Sequence, residues 1–401
     1  MSLTSRAVRA AAIAMTCAAA MVPGAALAAS ATPAGTGGLG TGGLGTGGLG
    51  TGVPGTGVPA GFKANSVNWL SARRGWVLGA APCGKDTCSD VIGTTDSGTT
   101  WRLVGSVPAP LASLGKGTPG VTEVRFATPT VGWVFGIGNE LFRTSDGGRS
   151  WTAVGVPGGA KQVLDLAASA SQAYAIVSFC ALGKPLCPHQ LGFWRIGTGA
   201  GSSWTRVPLD LPRNDAADVS VLGKAVYVVD QQLEFARPDK LYASTDGVHF
   251  SARTAPCSHA QDIALIQAVP MPAGRVALLC DGNPGFSKAI KTVYLSANTG
   301  KTDTFAGQTG VFGIQAQLAA SPSGNLAVAS WSDGSFIYIN DTHKKAWTMV
   351  EGIGDGGAGW NDVAYVSNTA AWVVYGPADF SGIGQLWATH DAGKHWAPVK
   401  L

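Results

Sequence analysis

The sequence predicts an all-β protein, a seven-bladed β-propeller of four-stranded blades, on three observations. First, a motif of the form S/T-x-D-x-G-x-x-W occurs intact three times, at 94–101, 144–151 and 389–396. Second, aromatic residues that end this motif, or a degenerate copy of it, recur at intervals of 42 to 55 residues. Third, the sequence between them has the alternating pattern of β-strands and no helical period. A repeat of this length is the size of one four-stranded blade.

Four degenerate copies of the motif bring the number of units to seven. They lie at 197–204, 244–250, 296–305 and 340–347. The aromatic residues that end the seven copies are Trp101, Trp151, Trp204, Phe250, Phe305, Trp347 and Trp396. We therefore expect residues 62–401 to form a single propeller domain.

The segments before each motif have the pattern that a blade requires. In the second unit, residues 121–126 alternate as a half-buried strand would, 132–136 follow as a second strand, and 141–144 lead into the motif. The first and seventh units repeat this order. The motif itself then falls in the turn between the third and fourth strands of each blade.

The motif residues have a structural role in this interpretation. The Asp carboxylate accepts backbone N–H groups within the turn, the Gly permits a positive φ, and the Trp packs between neighbouring sheets. We expect this role for Asp96, Gly98, Trp101, Asp146, Gly148, Trp151, Asp246, Asp391, Gly393 and Trp396.

The first 61 residues are not propeller material. Arg6 and Arg9 precede an apolar stretch that ends at Ala26-Leu27-Ala28, which predicts a signal peptide over 1–28. A membrane anchor is disfavoured because the apolar stretch is short. A lipoprotein attached at Cys17 is disfavoured because the residues before this cysteine make a poor lipobox. Residues 29–61 repeat GTGGL and then GTGVP, which is typical of a flexible linker; an elastin-like role stays open. The expected product is an exported, extracellular bacterial protein without a membrane span after cleavage.

Six cysteines remain after Cys17, and in an exported chain an even number indicates disulfides. The simplest pairing is local: Cys83–Cys88, Cys180–Cys187 and Cys257–Cys280. A zinc site is the alternative, but these spacings lack the usual close pairs and nearby histidines. We expect no metal and no cofactor.

The charge pattern excludes one class of partner. The net charge is only +4 and the sequence contains no basic run, whereas nucleic-acid binding requires clustered Lys and Arg. We expect a monomer that binds an extracellular glycan or protein and no nucleic acid.

The expected ligand site lies on one face of the propeller. Loops after the second and fourth strands of each blade lie on one face, here called the upper face, and turns after the first and third strands lie on the lower face. The motifs fall on the lower face, and the cysteines and the longer loops on the upper one. The ligand-binding candidates in these upper loops, which combine carboxylates with aromatic or basic groups, are Asp230, Glu234, Arg237, Asp281, Asp355, Trp360 and Asp379.

The repeated motif resembles the Asp-box, or BNR repeat, of sialidase-like propellers. Sialidases also carry an F/Y-R-I-P motif, an arginine triad and a tyrosine paired with a glutamate. The F/Y-R-I-P motif is absent from this sequence, and Glu occurs at only four positions. No catalytic residue is therefore carried over from them. Across 62–401 the units are more similar to the Ycf48-like group of WD40/YVTN/BNR-like seven-bladed propellers, with the pattern V-x-F…GW-x-V-G…L-x-x-T-x-DGG-x-x-W.

That resemblance implies a binding scaffold without chemistry of its own, which we favour. The alternative is a sialidase-like or other glycoside hydrolase with a diverged site. Two carboxylates within roughly 5–10 Å on the upper face would be its mark.

Overall fold

A computed structural model describes residues 57–113, 117–180, 190–211, 216–231, 239–257, 264–282, 288–340 and 345–401. Within these ranges the strands form seven antiparallel sheets of four strands each, and the prediction of an all-β, seven-bladed propeller is confirmed. No helix in these ranges is long and apolar enough to span a membrane.

Each blade is formed by one continuous stretch of chain, with its strands in sequence order. Blade 1 contains β1 (Lys63–Trp69), β2 (Gly75–Cys83), β3 (Asp86–Thr94) and β4 (Arg102–Val107). Blade 2 contains β5 (Gly120–Phe126), β6 (Gly132–Ile137), β7 (Leu141–Thr144) and β8 (Thr152–Ala153). Blade 3 contains β9 (Gln162–Ala168), β10 (Gln172–Ser178), β11 (Gly192–Gly197) and β12 (Thr205–Arg206). Blade 4 contains β13 (Ala216–Leu222), β14 (Ala225–Gln231), β15 (Lys240–Ser244) and β16 (Ser251–Arg253).

The remaining three blades follow the same plan. Blade 5 contains β17 (Ala264–Met271), β18 (Arg275–Asp281), β19 (Lys291–Ser296) and β20 (Thr304–Gln308). Blade 6 contains β21 (Gln315–Ala320), β22 (Leu326–Trp331), β23 (Ser335–Asn340) and β24 (Thr348–Ile353). Blade 7 contains β25 (Trp360–Tyr365), β26 (Ala371–Tyr375), β27 (Gln385–Thr389) and β28 (Ala397–Pro398).

The first strand of every blade contacts the first strand of the next, and β25 contacts β1. These seven strands therefore close a ring around the propeller axis. The hydrophobic core lies between blades, where each sheet packs on its neighbour. Between blades 1 and 2, for example, Trp76 stacks on Phe126 with ring centroids 3.8 Å apart.

Burial from both sides explains one departure from the expected strand pattern. The alternation over 121–126 predicts a half-buried strand, but every residue of β5 is buried. Its polar members, Thr122, Glu123 and Arg125, are also buried. Such groups need hydrogen-bond partners away from water, and neighbouring inner strands supply some of them.

A repeated hydrogen bond joins the inner strands. A polar side chain on one inner strand accepts the N–H of a residue on the next. The bonds run from Val67 to Asp362 (3.1 Å), Val124 to Ser66 (3.2 Å), Val219 to Asp165 (2.8 Å), Leu318 to Gln267 (2.6 Å) and Val363 to Gln317 (3.3 Å). Each bond satisfies a buried amide that the sheet ladder leaves unused.

The N-terminal segment contacts the propeller before β1 begins. The carbonyl of Gly57 accepts the Leu103 N–H at 2.9 Å, and Val58 packs against the core between blades 1 and 7. Residues 57–61, expected to belong to the linker, are therefore in contact with the propeller. The predicted signal peptide and residues 29–56 lie outside the described residues.

Two of the expected disulfides are present. Cys83–Cys88 closes the hairpin between β2 and β3, and Cys257–Cys280 joins the connection before blade 5 to β18; both have Cα atoms 5.7 Å apart. Cys180 is disulfide-bonded as well. Its expected partner, Cys187, lies outside the described residues.

Candidate functional site

The repeated motifs form self-contained turns on the lower face. In the second blade, Asp146 accepts both the backbone N–H of Ser150 (3.0 Å) and its hydroxyl (2.6 Å). The Thr144 hydroxyl donates to Asp146 at 2.8 Å and accepts the Gly148 N–H at 2.9 Å. Gly148 has φ +98°, a conformation that favours glycine. Asp96 and Asp391 make the equivalent bonds in blades 1 and 7.

These bonds hold the motif carboxylates in the ionised form. Hydrogen bonds from the Thr100 hydroxyl, the Thr100 N–H and the Thr94 hydroxyl lower the pKa of Asp96 to about 2. Bonds from His249 and Val248 lower the pKa of Asp246 in the shortened fourth copy. The carboxylates are thus engaged within their own turns, which is the arrangement that a structural role requires.

The motif tryptophans complete the turns. Trp101 donates its indole N–H to the Gly98 carbonyl at 3.1 Å, and Trp396 donates to Gly393 at 2.9 Å. Both rings are buried, as is that of Trp151, and they pack in the cores between adjacent blades. The indole N–H groups of Trp101 and Trp396 are thus used within their own turns.

Three of the upper-face candidates, Asp230, Asp281 and Trp360, are strand residues rather than loop residues. Asp230 lies in β14 opposite Lys240, and Asp281 ends β18 opposite Lys291. Both aspartates are buried. Glu234 and Arg237, predicted beside Asp230, lie outside the described residues.

Lys291, the neighbour of Asp281, connects two upper loops. Its Nζ donates to the carbonyl of Ala289 at 2.7 Å and to that of Gly313. Burial lowers the pKa of Lys291 to about 8, although the negative charge of Asp281 opposes that shift. The negative charge of Asp281 therefore favours the charged form of Lys291. This buried lysine holds the loop before β19 against the loop before β21.

Asp355 and Trp360 also serve the scaffold. Asp355 accepts hydrogen bonds from the Tyr375 hydroxyl (2.7 Å), the Ser335 hydroxyl (2.8 Å) and the Gly357 N–H (2.8 Å). Burial raises the pKa of Asp355, but these hydrogen bonds outweigh it and the net shift is downward. Trp360 is 1% exposed and packs against Tyr375 and Trp387, so its ring has no face open to a ligand.

Asp379 occupies a different environment, at the upper end of the inner ring. It lies in the loop between β26 and β27, and its backbone N–H donates to Asn65 Oδ1 on β1 at 2.8 Å. Part of its surface is accessible, but protein surrounds the carboxyl group closely. Burial raises the pKa of Asp379 to about 7, with a further upward contribution from the charges of Glu123 and Asp362 and an opposing hydrogen bond from Asn65.

Glu123 and Asp362 are joined by Arg125. Its Nη2 donates to Glu123 at 2.5 Å and to Asp362 at 2.8 Å, and all three side chains are buried. We call Glu123, Arg125, Asp362 and Asp379 the mouth cluster. Of its members, only Asp379 was singled out from the sequence.

The upper face also carries exposed apolar side chains. Five of them lie in its loops and are 39% to 53% exposed. We call them the upper apolar residues: Ile290, Val311, Phe312, Phe380 and Ile383. None of the five is among the candidates named from the sequence, since their signal is exposure, which only the folded chain reveals. Val311 and Phe312 lie together in the loop before β21, and Phe380 and Ile383 lie in the loop between β26 and β27.

Among the described residues, no group of three or more His, Cys, Asp or Glu side chains is placed to bind a metal ion. The candidate site is the upper face of the propeller. The buried, charged mouth cluster lies at its centre, and the upper apolar residues lie in the loops of blades 5 to 7.

No family model matches the chain, and no curated protein matches it. Among solved structures, the chain is similar to an oligogalacturonate lyase from Vibrio parahaemolyticus, with 10% identity, 83% of this chain and 92% of that chain covered, and a TM-score of 0.53. It is similar to Sqt1 from Saccharomyces cerevisiae, with 10% identity, 84% of each chain covered and a TM-score of 0.52. It is also similar to Ycf48 from Cyanidioschyzon merolae, with 17% identity, 70% of this chain and 86% of that chain covered, and a TM-score of 0.45. At these identities the likeness extends to the fold alone.

Proposed function

We propose that the protein is an exported, non-enzymatic Asp-box propeller whose upper face binds an apolar segment of a protein partner. The observation that carries this proposal is the set of upper apolar residues. Nine large hydrophobic side chains are exposed among the described residues, and five of them lie in the upper loops of blades 5 to 7. The disulfides support an extracellular location, because such bonds persist in oxidising compartments.

The chemistry of these residues favours a polypeptide over a glycan. Ile290, Val311 and Ile383 are aliphatic, whereas sugar recognition uses flat aromatic faces beside free polar groups. The aromatic candidate, Trp360, is buried. Asp355 is engaged by protein donors, so it is not available to orient sugar hydroxyls.

The loops that carry the upper apolar residues are held in place. Lys291 bonds to carbonyls on both sides of the surface formed by Ile290, Val311 and Phe312. Phe312 also stacks on Phe336 with ring centroids 5.2 Å apart. A fixed surface loses less conformational entropy on binding, so pre-organisation of this kind favours affinity.

The test is to pan a phage-displayed random peptide library on the immobilised mature protein and to measure the Kd of the enriched peptides. We expect apolar peptides whose affinity falls at least tenfold in a Phe312→Ser/Phe380→Ser variant, equivalent to about 1.4 kcal/mol. The matched control is Leu222→Ser/Val248→Ser, which removes two similarly exposed residues from the lower face and is expected to bind normally. If the upper-face variant binds as well as the control, or a glycan array gives the only ligands, the proposal fails.

A second function is favoured by one observation, the raised pKa of Asp379 beside Glu123 and Asp362. A protonated acid next to ionised carboxylates is the arrangement that glycoside hydrolases use. Against it, Glu123 and Asp362 are buried and both bound to Arg125, which leaves them poorly placed to meet a substrate.

A panel of fluorogenic glycosides tests this alternative. A hydrolase would show turnover that Asp379→Asn abolishes and that Asp90→Asn, on an outer part of blade 1, leaves intact. Absence of turnover over the panel would favour the binding function.

A further inference from the structure

The ring closes between blade 7 and blade 1 without a shared strand. All four strands of blade 1 come from the N-terminal end of the domain and all four of blade 7 from the C-terminal end. The loop 376–384, between β26 and β27, bridges this seam. We call it the clasp.

The clasp holds the beginning of β1 from two sides. The Ala64 N–H donates to the Gly384 carbonyl at 2.8 Å, and the Ala64 carbonyl accepts the Ala378 N–H at 3.1 Å. Lys63 adds a bond from its Nζ to the Gly382 carbonyl at 2.6 Å. The approach is close: a Cβ atom at Gly384 would lie 2.6 Å from the side chain of Lys63.

Asp379 is the one titratable residue of the clasp, and it faces the other members of the mouth cluster. The charges of Glu123 on β5 and Asp362 on β25 act on its carboxyl group, and Arg125 on β5 is bound to both of them. Asn65 on β1 accepts the backbone N–H of Asp379, and Lys63 is bound to the clasp itself. The guanidinium of Arg125 is shared between Glu123 and Asp362. An ionised Asp379 would therefore bring a third carboxylate close to two that are both bound to Arg125.

We propose that the clasp is a pH-sensitive closure of the ring: protonated Asp379 holds it against β1, and ionisation of Asp379 loosens the seam between blades 7 and 1. Opening of the clasp exposes the carboxyl group to water, where it ionises readily. Opening is therefore coupled to the release of a proton.

The direction of the pH effect follows from linkage. The carboxyl group has a pKa of about 7 in the closed clasp and an ordinary pKa of 3.8 when solvated. Below pH 4 it is protonated in both states and has no effect. Between about pH 4 and 7 the open fraction rises about tenfold per pH unit, and above pH 7 it levels off.

Hydrogen–deuterium exchange of the full mature protein at pH 5, 6, 7 and 8, corrected for intrinsic exchange rates, tests the proposal. The amides of Ala64, Ala378 and Asp379 should lose about fiftyfold in protection from pH 5 to 7. The Val219 amide, bonded to Asp165 at another junction, should stay constant. Protection of the clasp amides that does not change with pH would overturn the proposal with no variant required.

Two variants assign the effect to its residue. Asp379→Asn keeps the shape of the protonated form and should remove the pH dependence of the clasp amides. Asp90→Asn is the matched control, because burial also raises the pKa of Asp90 but it lies on β3; it should keep that dependence. A clasp that still responds to pH in Asp379→Asn would show that another group controls it.

Discussion

The hydrogen bonds between inner strands predict a specific loss of stability when one acceptor is removed. Gln267 on β17 accepts the Leu318 N–H of β21 at 2.6 Å, and both residues are buried. The substitution Gln267→Met keeps the length and most of the volume of the side chain but removes the acceptor. The Leu318 N–H would then be buried without a partner.

The magnitude follows from the desolvation of that amide. A buried donor left without an acceptor costs about 1–3 kcal/mol. Met fills the space of Gln, so a cavity adds little to this figure. The matched control is Gln308→Met on the edge strand β20, where the glutamine is exposed and bonds to the Thr292 hydroxyl. We expect the control to change stability by less than about 0.5 kcal/mol.

Equilibrium unfolding in urea measures the difference. Gln267→Met should lower the midpoint with an unchanged m-value, which separates a loss of stability from a change in the denatured state. Hydrogen exchange should show reduced protection at Leu318 first. Equal midpoints for Gln267→Met and Gln308→Met would refute the reasoning that the inner ring of hydrogen bonds stabilises the fold.

Two further predictions concern the motif turns and the disulfides. The pKa of Asp96, lowered to about 2 by hydrogen bonds from Thr100 and Thr94, should rise towards 3.8 in Thr100→Val when followed by NMR; the stability it contributes is present above pH 3.8 and lost as pH falls towards 2. An unchanged pKa would mean that the Thr100 hydroxyl is not the main cause. Replacing Cys257 and Cys280 by Ala should cost about 3 kcal/mol and replacing Cys83 and Cys88 about 2 kcal/mol, because the closed loops differ in length; urea midpoints in the reverse order would contradict this loop-closure argument.

Much of the fold could be predicted because the repeat is local in sequence. Each intact motif lies within eight residues, and the tryptophan that ends it packs between blades. The regular spacing of the seven aromatics was therefore enough to count the blades and to place the third strand of each, although Phe305 is 40% exposed. The pairs Cys83–Cys88 and Cys257–Cys280 were also predicted, because both are near neighbours in sequence.

The mouth cluster could not be predicted in the same way. Arg125 meets Asp362 across 237 residues, and Ser66 meets the same aspartate across 296. Such contacts depend on ring closure rather than on a local pattern. One sequence pattern indicates these contacts between inner strands. In the first strand of a blade, a polar residue directly precedes an apolar one, as in Ser66-Val67 and Gln317-Leu318.

Errors at strand ends account for the misplaced candidates. The sequence predicts Trp360 in an upper loop, but β24 extends to Ile353 and β25 begins at Trp360. Asp230 was likewise assigned to a loop and lies within β14. An inner or second strand is covered by both neighbouring blades, so a shift of a few residues at its end moves a side chain from solvent into the core.

The clasp connects the two proposals at one loop. It contains Asp379, which we expect to control closure, and also Phe380 and Ile383, two of the upper apolar residues. A partner that packs on Phe380 binds the closed clasp better than the open one, and linkage then requires that its affinity depend on the protonation of Asp379. Affinity should therefore decrease between pH 6 and 8, and binding should take up protons in that range, whereas Asp379→Asn should bind with the same affinity at both values. A wild-type affinity that stays constant over this range would place the partner on the surface formed by Ile290, Val311 and Phe312 instead, and would separate partner binding from ring closure.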